Sequence, residues 1–139
     1  MSRFIKIGAT GVELPPEAAQ WVAVRDTESH LWWSVAETES MPQPRALETA
    51  AAVQIAGCRD WRLPSVDELF ALADRSRYNP AIDVAHFPHC KPGWYWTSTR
   101  AAYSPVLCAW VVYFADGGAT FGDQSNLGFV RAVRTANVT

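Results

Sequence analysis

With 139 residues, 49% of them hydrophobic and 19% charged, the chain is long enough for one domain with a real core and too short for two ordinary ones. A formal net charge of -2, a pI near 5.9 and scattered Lys and Arg leave no basic footprint, which argues against a nucleic-acid partner. No apolar run is long enough to insert in a membrane, and Met1 to Gly11 carries Arg3 and Lys6 without a continuous apolar stretch, so no signal peptide is expected.

Seven Trp, six Phe and four Tyr are a heavy aromatic load, which points to an irregular core or a binding face. Phe4 to Ile7 reads as a first strand, after which Gly8, Gly11 and Pro15-Pro16 break regular structure. Trp21 to Arg25 and Leu31 to Val35 are strand-like runs separated by the polar stretch Asp26 to His30, which predicts an antiparallel hairpin with His30 in its turn. Beyond Pro44, Arg45 to Ala56 has high helix propensity, with Leu47, Ala51 and Ile55 as its buried stripe and Gly57 as its stop.

The clearest local signal is Asp60-Trp61-Arg62-Leu63-Pro64-Ser65-Val66-Asp67-Glu68-Leu69-Phe70. Pro64 cannot sit inside a helix, Ser65 can cap one, and Glu68 can reach back to the Ser65 amide, so a second helix starts at Ser65. Val66, Leu69, Phe70 and Ala73 then recur at helical spacing, and Trp61 and Leu63 are expected to feed the same core. Residues 77–93 read as a long loop packed down by Ile82, Phe87 and Pro88.

Gly93 to Thr99 is strand-like and aromatic. Cys108 to Phe114 is apolar on both faces and is predicted to lie in the middle of a sheet, with Asp116-Gly117-Gly118 turning into Ala119-Thr120-Phe121. Phe129 to Arg134 closes the domain as a last strand, with Arg131 pointing inward as one member of an ion pair. The order of elements predicts a single α+β domain over residues 1–139, with two helices flanking a mainly antiparallel sheet and long loops.

Taken in succession, Leu31-Trp32, the helix after Pro44, Asp60 to Pro64, Glu68-Leu69, Pro80 to Asp83, Phe87-Pro88, Tyr95 to Thr99, Ala109-Trp110 and Val130 to Arg134 resemble the DUF1566 family, also called the Lcl C-terminal domain. The similarity covers roughly residues 21–134. It implies a C-type-lectin-like fold related to the formylglycine-generating and sulfatase-modifying group, a binding surface made of loops, and an extracellular or surface-associated setting. The Glu-Pro-Asn or Gln-Pro-Asp calcium motif of sugar-binding lectins is absent, and no Trp-Asn-Asp counterpart follows, so recognition is expected to be calcium-independent.

Three cysteines, Cys58, Cys90 and Cys108, exclude a complete disulfide framework within one chain. Cys58 beside Gly57 reads as a buried apolar residue, while Cys90 and Cys108 could pair in an oxidising compartment. His86, His89 and Cys90 gather ligand-type side chains, yet their spacing matches no standard zinc motif, so neither metal nor cofactor is expected. A nucleophile could be sought in Cys90 or Cys108 with His86 or His89 as base, but nothing orients such a pair, and Ser98 lacks the glycine-flanked elbow of a hydrolase. Asp60, Asp67, Glu68 and Asp83 are explained as turn, cap and first-turn residues, and Arg62 as a residue that holds loops together.

Trp94 and Tyr103 flank loops and are expected to be exposed, whereas Trp96 and Trp110 are expected in the core. Around the first two, Arg100, Ser104, Asp123, Gln124, Ser125 and Asn126 occupy two loops that the implied fold places at one end of the domain. The sequence therefore leads to a non-enzymatic, calcium-independent binding module that recognises a glycan or a protein through loops 97–107 and 117–128. Two alternatives stand beside it. One is a structural subunit whose same surface is the interface of a homo-oligomer or of a surface, phage or secretion assembly; the other is an enzyme of the formylglycine-generating type.

Overall fold

The computed structural model describes residues 3–135; Met1, Ser2 and residues 136–139, which the single-domain expectation includes, lie outside the described residues. Seven strands and two helices follow one another as β1 (Phe4–Ile7), β2 (Ala23–Asp26), β3 (Leu31–Ser34), α1 (Gln43–Ala51), α2 (Val66–Leu72), β4 (Trp94–Arg100), β5 (Cys108–Tyr113), β6 (Gly118–Asp123) and β7 (Val133–Thr135). The fold is α+β, with two antiparallel sheets in place of the one expected: β1-β2-β3-β7 and β4-β5-β6.

The predicted hairpin forms between β2 and β3, with Ala23 opposite Ser34 and Arg25 opposite Trp32. His30 takes the left-handed conformation its turn requires, φ 62°. β5 is the central strand of the second sheet, and its two faces feed two different cores. Tyr95 and Val112 join Leu69 and Leu72 of α2 on one face, while Trp96, Ala109 and Val111 join Ala46 and Ala50 of α1 on the other. That double burial is why Cys108 to Phe114 shows no polar alternation.

α2 starts as its sequence dictates. Ser65 Oγ accepts from the Glu68 amide at 3.2 Å, and Glu68 Oε1 accepts from the Ser65 amide at 2.8 Å. Arg62 grips the same carboxylate through both terminal nitrogens at 2.8 and 2.9 Å and reaches Thr135 Oγ1, so it does tie loops together. These Arg62 hydrogen bonds, opposed by partial burial, hold the Glu68 carboxyl below its ordinary range. Trp61 and Leu63 are buried as expected, and so are Leu69 and Ala73 of the predicted stripe; Leu72, outside it, is buried too, whereas Val66 is half-buried and Phe70 is exposed. It lies on the outer face with the Arg75 guanidinium 3.9 Å above its ring.

α1 departs further from expectation. It begins at Gln43, because Pro42 and Pro44 have the φ a first turn needs and lack only amides that would be unpaired there. It ends at Ala51, where the Ala52 and Val53 amides donate to Thr49 O and Ala50 O in tighter turns; beyond it Ala56 (φ 55°) and Gly57 (φ 71°) turn left-handed and Ile55 bridges to Cys58. With the last turn removed, Ile55 is out of phase, and the buried stripe is Gln43, Ala46 and Ala50, not Leu47, Ala51 and Ile55. Residues 74–93 are packed down by Ile82 and Phe87, while Pro88 is exposed.

The last segment stitches the sheets together. Phe129 exchanges backbone hydrogen bonds with Trp94 and Trp96 at the edge of β4, and Ala132 accepts from Ser34 before β7 pairs with β3. Only Val133–Thr135 is therefore strand, a shorter element than expected. Between the two sheets, fully buried Arg131 donates to the Ser34 and Val35 carbonyls and to Glu37, the interior ion pair its position announced. Burial opposes the guanidinium charge, but the Glu37 carboxylate together with the neighbouring Tyr95 and Cys90 outweighs it, so the Arg131 pKa stands above its ordinary value.

Candidate functional site

The two expected loops do meet. The Gln124 amide donates to Leu107 O at 2.7 Å, which continues the β5–β6 ladder past the strand ends and sets loop 101–107 against loop 124–127. A register shift in β4 between Trp96 and Arg100 precedes the first of them.

Most of the polar residues singled out there hold the loops. Asp123 Oδ1 accepts from the Ser125 amide at 2.8 Å and from Ser125 Oγ at 2.6 Å. These hydrogen bonds lower the Asp123 pKa, and both side chains are engaged by a local turn. Gln124 is buried, with Nε2 donating to the Pro105 and Cys108 carbonyls at 3.2 and 3.3 Å. It is a brace inside the site, not a contact residue. Ser104 O accepts from the Leu107 and Cys108 amides, and Arg100 Nη1 donates to Pro105 O at 2.9 Å, so both close the first loop. Asn126 is exposed, its amide donating to Asp123 O.

The two aromatic anchors separate. Trp94 stands opposite Tyr113 and alternates with Tyr95, which puts it on the α1 side of the sheet, half-buried over Gly122. A Cβ at Gly122 would come within 2.7 Å of the Trp94 ring. Tyr103, 83% exposed, lies on the opposite side against Phe121, ring centroids 5.7 Å apart, and Phe121 meets Trp110 edge-on at 5.4 Å. Trp96 is core as expected, but Trp110 is only partly buried, because its face of the sheet extends past α2.

Sequence reasoning missed the residues that are most available: Val106, Leu107, Phe121 and Leu127 are exposed at 80%, 59%, 40% and 62%. A signal for Phe121 was present, since the Asp116-Gly117 turn places it across from Trp110. Val106-Leu107 and Leu127 are apolar residues inside polar loops, which is itself a pointer to a contact role.

The groups weighed for chemistry are dispersed. All three cysteines are free, Cys90 in the α2-side core and Cys108 at the start of β5, so these two do not pair. Burial pushes the Cys90 thiol up, away from the reactive thiolate, while Cys58 is half-buried and less enclosed than expected. His86 Nδ1 lies 3.1 Å from Asp83 Oδ2 with its ring tilted against Phe4, and His89 is exposed. Among the described residues no three His, Cys, Asp or Glu side chains converge as metal ligands. An open cleft of about 620 Å³ beside Leu14, Trp21, Val35 and His89 is mainly apolar.

From Val22 to Arg134 the chain follows the profile of the Lcl C-terminal domain. It belongs to that family. The match takes in both helices and every strand except β1, with β7 included up to Arg134. The Lcl C-terminal domain here thus comprises both loops of the site and the Arg131–Glu37 pair between the sheets. A comparison with curated proteins returned no match. Among the described residues, no helix is long and apolar enough to cross a membrane.

Proposed function

We propose that this Lcl C-terminal domain is a non-enzymatic, calcium-independent protein-recognition module that works through the exposed apolar surface of Tyr103, Val106, Leu107, Phe121 and Leu127. The observation that carries this reading is the division of labour in the two loops. Asp123 Oδ1, Ser125 Oγ, Gln124 Nε2 and Arg100 Nη1 are engaged in bracing the loops, while aromatic and aliphatic side chains are left to solvent. A sugar needs several free, convergent polar groups, whereas a protein partner needs buried apolar anchors with a polar rim. Full burial of a Leu-sized side chain contributes about 1.5–3 kcal/mol, so two or three anchors suffice for a specific contact.

The glycan reading keeps one supporting observation: Tyr103 presents its ring to solvent from the loop that Arg100 closes. One experiment separates the two. The purified domain and a Tyr103→Ser, Leu127→Ser variant are compared on a glycan array with and without chelator, and in capture of proteins identified by mass spectrometry. We expect no glycan signal and a captured protein that the variant loses. Chelator-resistant glycan binding lost in the variant would replace the protein reading with the glycan one.

A further inference from the structure

Each sheet in this protein has two outer edges, and the chain covers three of the four. The β1 edge is met by residues 12–14, with the Leu14 amide donating to Lys6 O; the β7 edge exchanges hydrogen bonds with Arg62; the β4 edge is occupied by Phe129. Among the described residues, β6 has no such cover. The direction of its free groups follows from the neighbouring strand. Ala101 N donates to Cys108 O and Thr97 Oγ1 donates to Trp110 O, so these residues turn their backbone toward β4. Their cross-strand partners, Asp123 and Phe121, together with Ala119 opposite Val112, must then turn theirs away from β5.

The amides and carbonyls of Ala119 and Phe121 and the amide of Asp123 accordingly point outward, and Asp123 O already accepts from Asn126 N. The strand Gly118–Asp123 contains no Lys, Arg or Pro and no bulge, the devices that keep natural edges from pairing.

We infer that β6 pairs antiparallel with β6 of a second copy of this chain, joining two three-stranded sheets into one across a two-fold axis at Phe121. This rests on the protein-recognition reading and names the partner of that same surface. A two-fold at Phe121 sets Ala119 against Asp123 of the second copy, so every outward residue is paired and no Asp faces an Asp. A parallel arrangement brings like residues alongside one another, Asp123 included. The same axis brings the two Phe121 rings together on the face that carries Trp110 and Tyr103. An edge contact of this length belongs among the small interfaces, below about 1,200 Å² in total, so the dimer is reversible and concentration-dependent.

Sedimentation equilibrium of the wild-type protein from micromolar to millimolar concentration is the test, with Ala119→Pro and Phe121→Lys beside it. Pro at 119 removes only an outward N–H, which an edge strand tolerates. We expect a wild-type dimer that both variants lose. Backbone exchange on the wild type guards against misfolded variants: the Ala119 and Phe121 amides should gain protection as the dimer forms. A monomer at every concentration, or a dimer that persists in both variants, or unchanged exchange at these amides would overturn the inference. A monomer that still captures a foreign protein through Tyr103 and Leu127 would sink self-pairing alone, while loss of both would remove the recognition reading as well.

Discussion

Replacing Arg131 by Met isolates what the buried ion pair contributes. Arg131 is fully buried, donates to the Ser34 and Val35 carbonyls and to Glu37, and lies 5.0 Å over Phe87 and 5.4 Å over Tyr95. Methionine fills much of the volume but removes the charge and every donor. Among the described residues, Glu37 would then keep only the Tyr95 hydroxyl, which donates to it, as a partner in a buried site. Removing one member of a buried pair costs about 3–5 kcal/mol, chiefly through the uncompensated charge left behind. The two carbonyls that lose their donor add to that cost. The Glu37→Leu, Arg131→Met double variant removes both charges and is expected to recover at least half of the single-variant loss. Urea denaturation followed by circular dichroism of four proteins, the wild type, Arg131→Met, Glu37→Leu and the double variant, closes the cycle. A single-variant cost below about 1 kcal/mol, or a double variant equal to the sum of the singles, would refute the view that this pair is coupled and desolvated.

Three further outcomes follow from the geometry. Asp26 is buried, which pushes its carboxyl up, but the two Arg3 hydrogen bonds and the Glu28 amide outweigh burial and leave its pKa lowered. Its stabilisation is thus present above the unfolded value of about 3.9 and lost as pH falls through the lower folded value, so Asp26→Asn should flatten the acid limb of a thermal-stability profile. Gly128→Ala would set a Cβ 2.7 Å from Trp96 Nε1, which donates to Met41 O, and should cost about 1–3 kcal/mol with a shift in Trp fluorescence. Gln124→Ala strips the Pro105 and Cys108 carbonyls of a buried donor; about 1–3 kcal/mol of loss is expected, with faster exchange of the Gln124 amide that donates to Leu107.

What could be read from sequence was what is decided locally. The Ser65 capping box, the His30 turn and the Asp116-Gly117 turn each depend on a few adjacent residues, and each stands where it was placed. The end of α1 was not legible, because residues 52–56 keep a helix-favouring composition, yet the chain leaves the helix after Ala51 and Ala56 turns left-handed against its own propensity. The second sheet was hidden for a related reason. Phe129 to Arg134 reads as one strand, but it runs first along β4 and then along β3, a division made by long-range packing. At the site, the position of the two loops was readable and the role of their side chains was not. Gln124 looks like a surface residue until its tertiary partners are known, and Phe121 looks like core until β6 is seen to be an edge.

The side chains that hold the loops and those that face solvent are different, and that difference bears on how the surface works. Gln43, buried at the start of α1, donates from its backbone amide to Gln124 O at 2.9 Å and from Nε2 to Thr97 O at 3.2 Å. Gln124 in turn braces Pro105 and Cys108, so one chain of hydrogen bonds runs from α1 through β4 to both loops. The polar residues spend their donors fixing the backbone from below. Tyr103, Val106, Leu107 and Leu127 are consequently displayed on a base that is already ordered, and a partner that covers them need not bear the entropy of ordering the loops. A flexible polar loop and a braced loop with apolar tips can have the same composition, but only the second offers a preformed apolar contact surface.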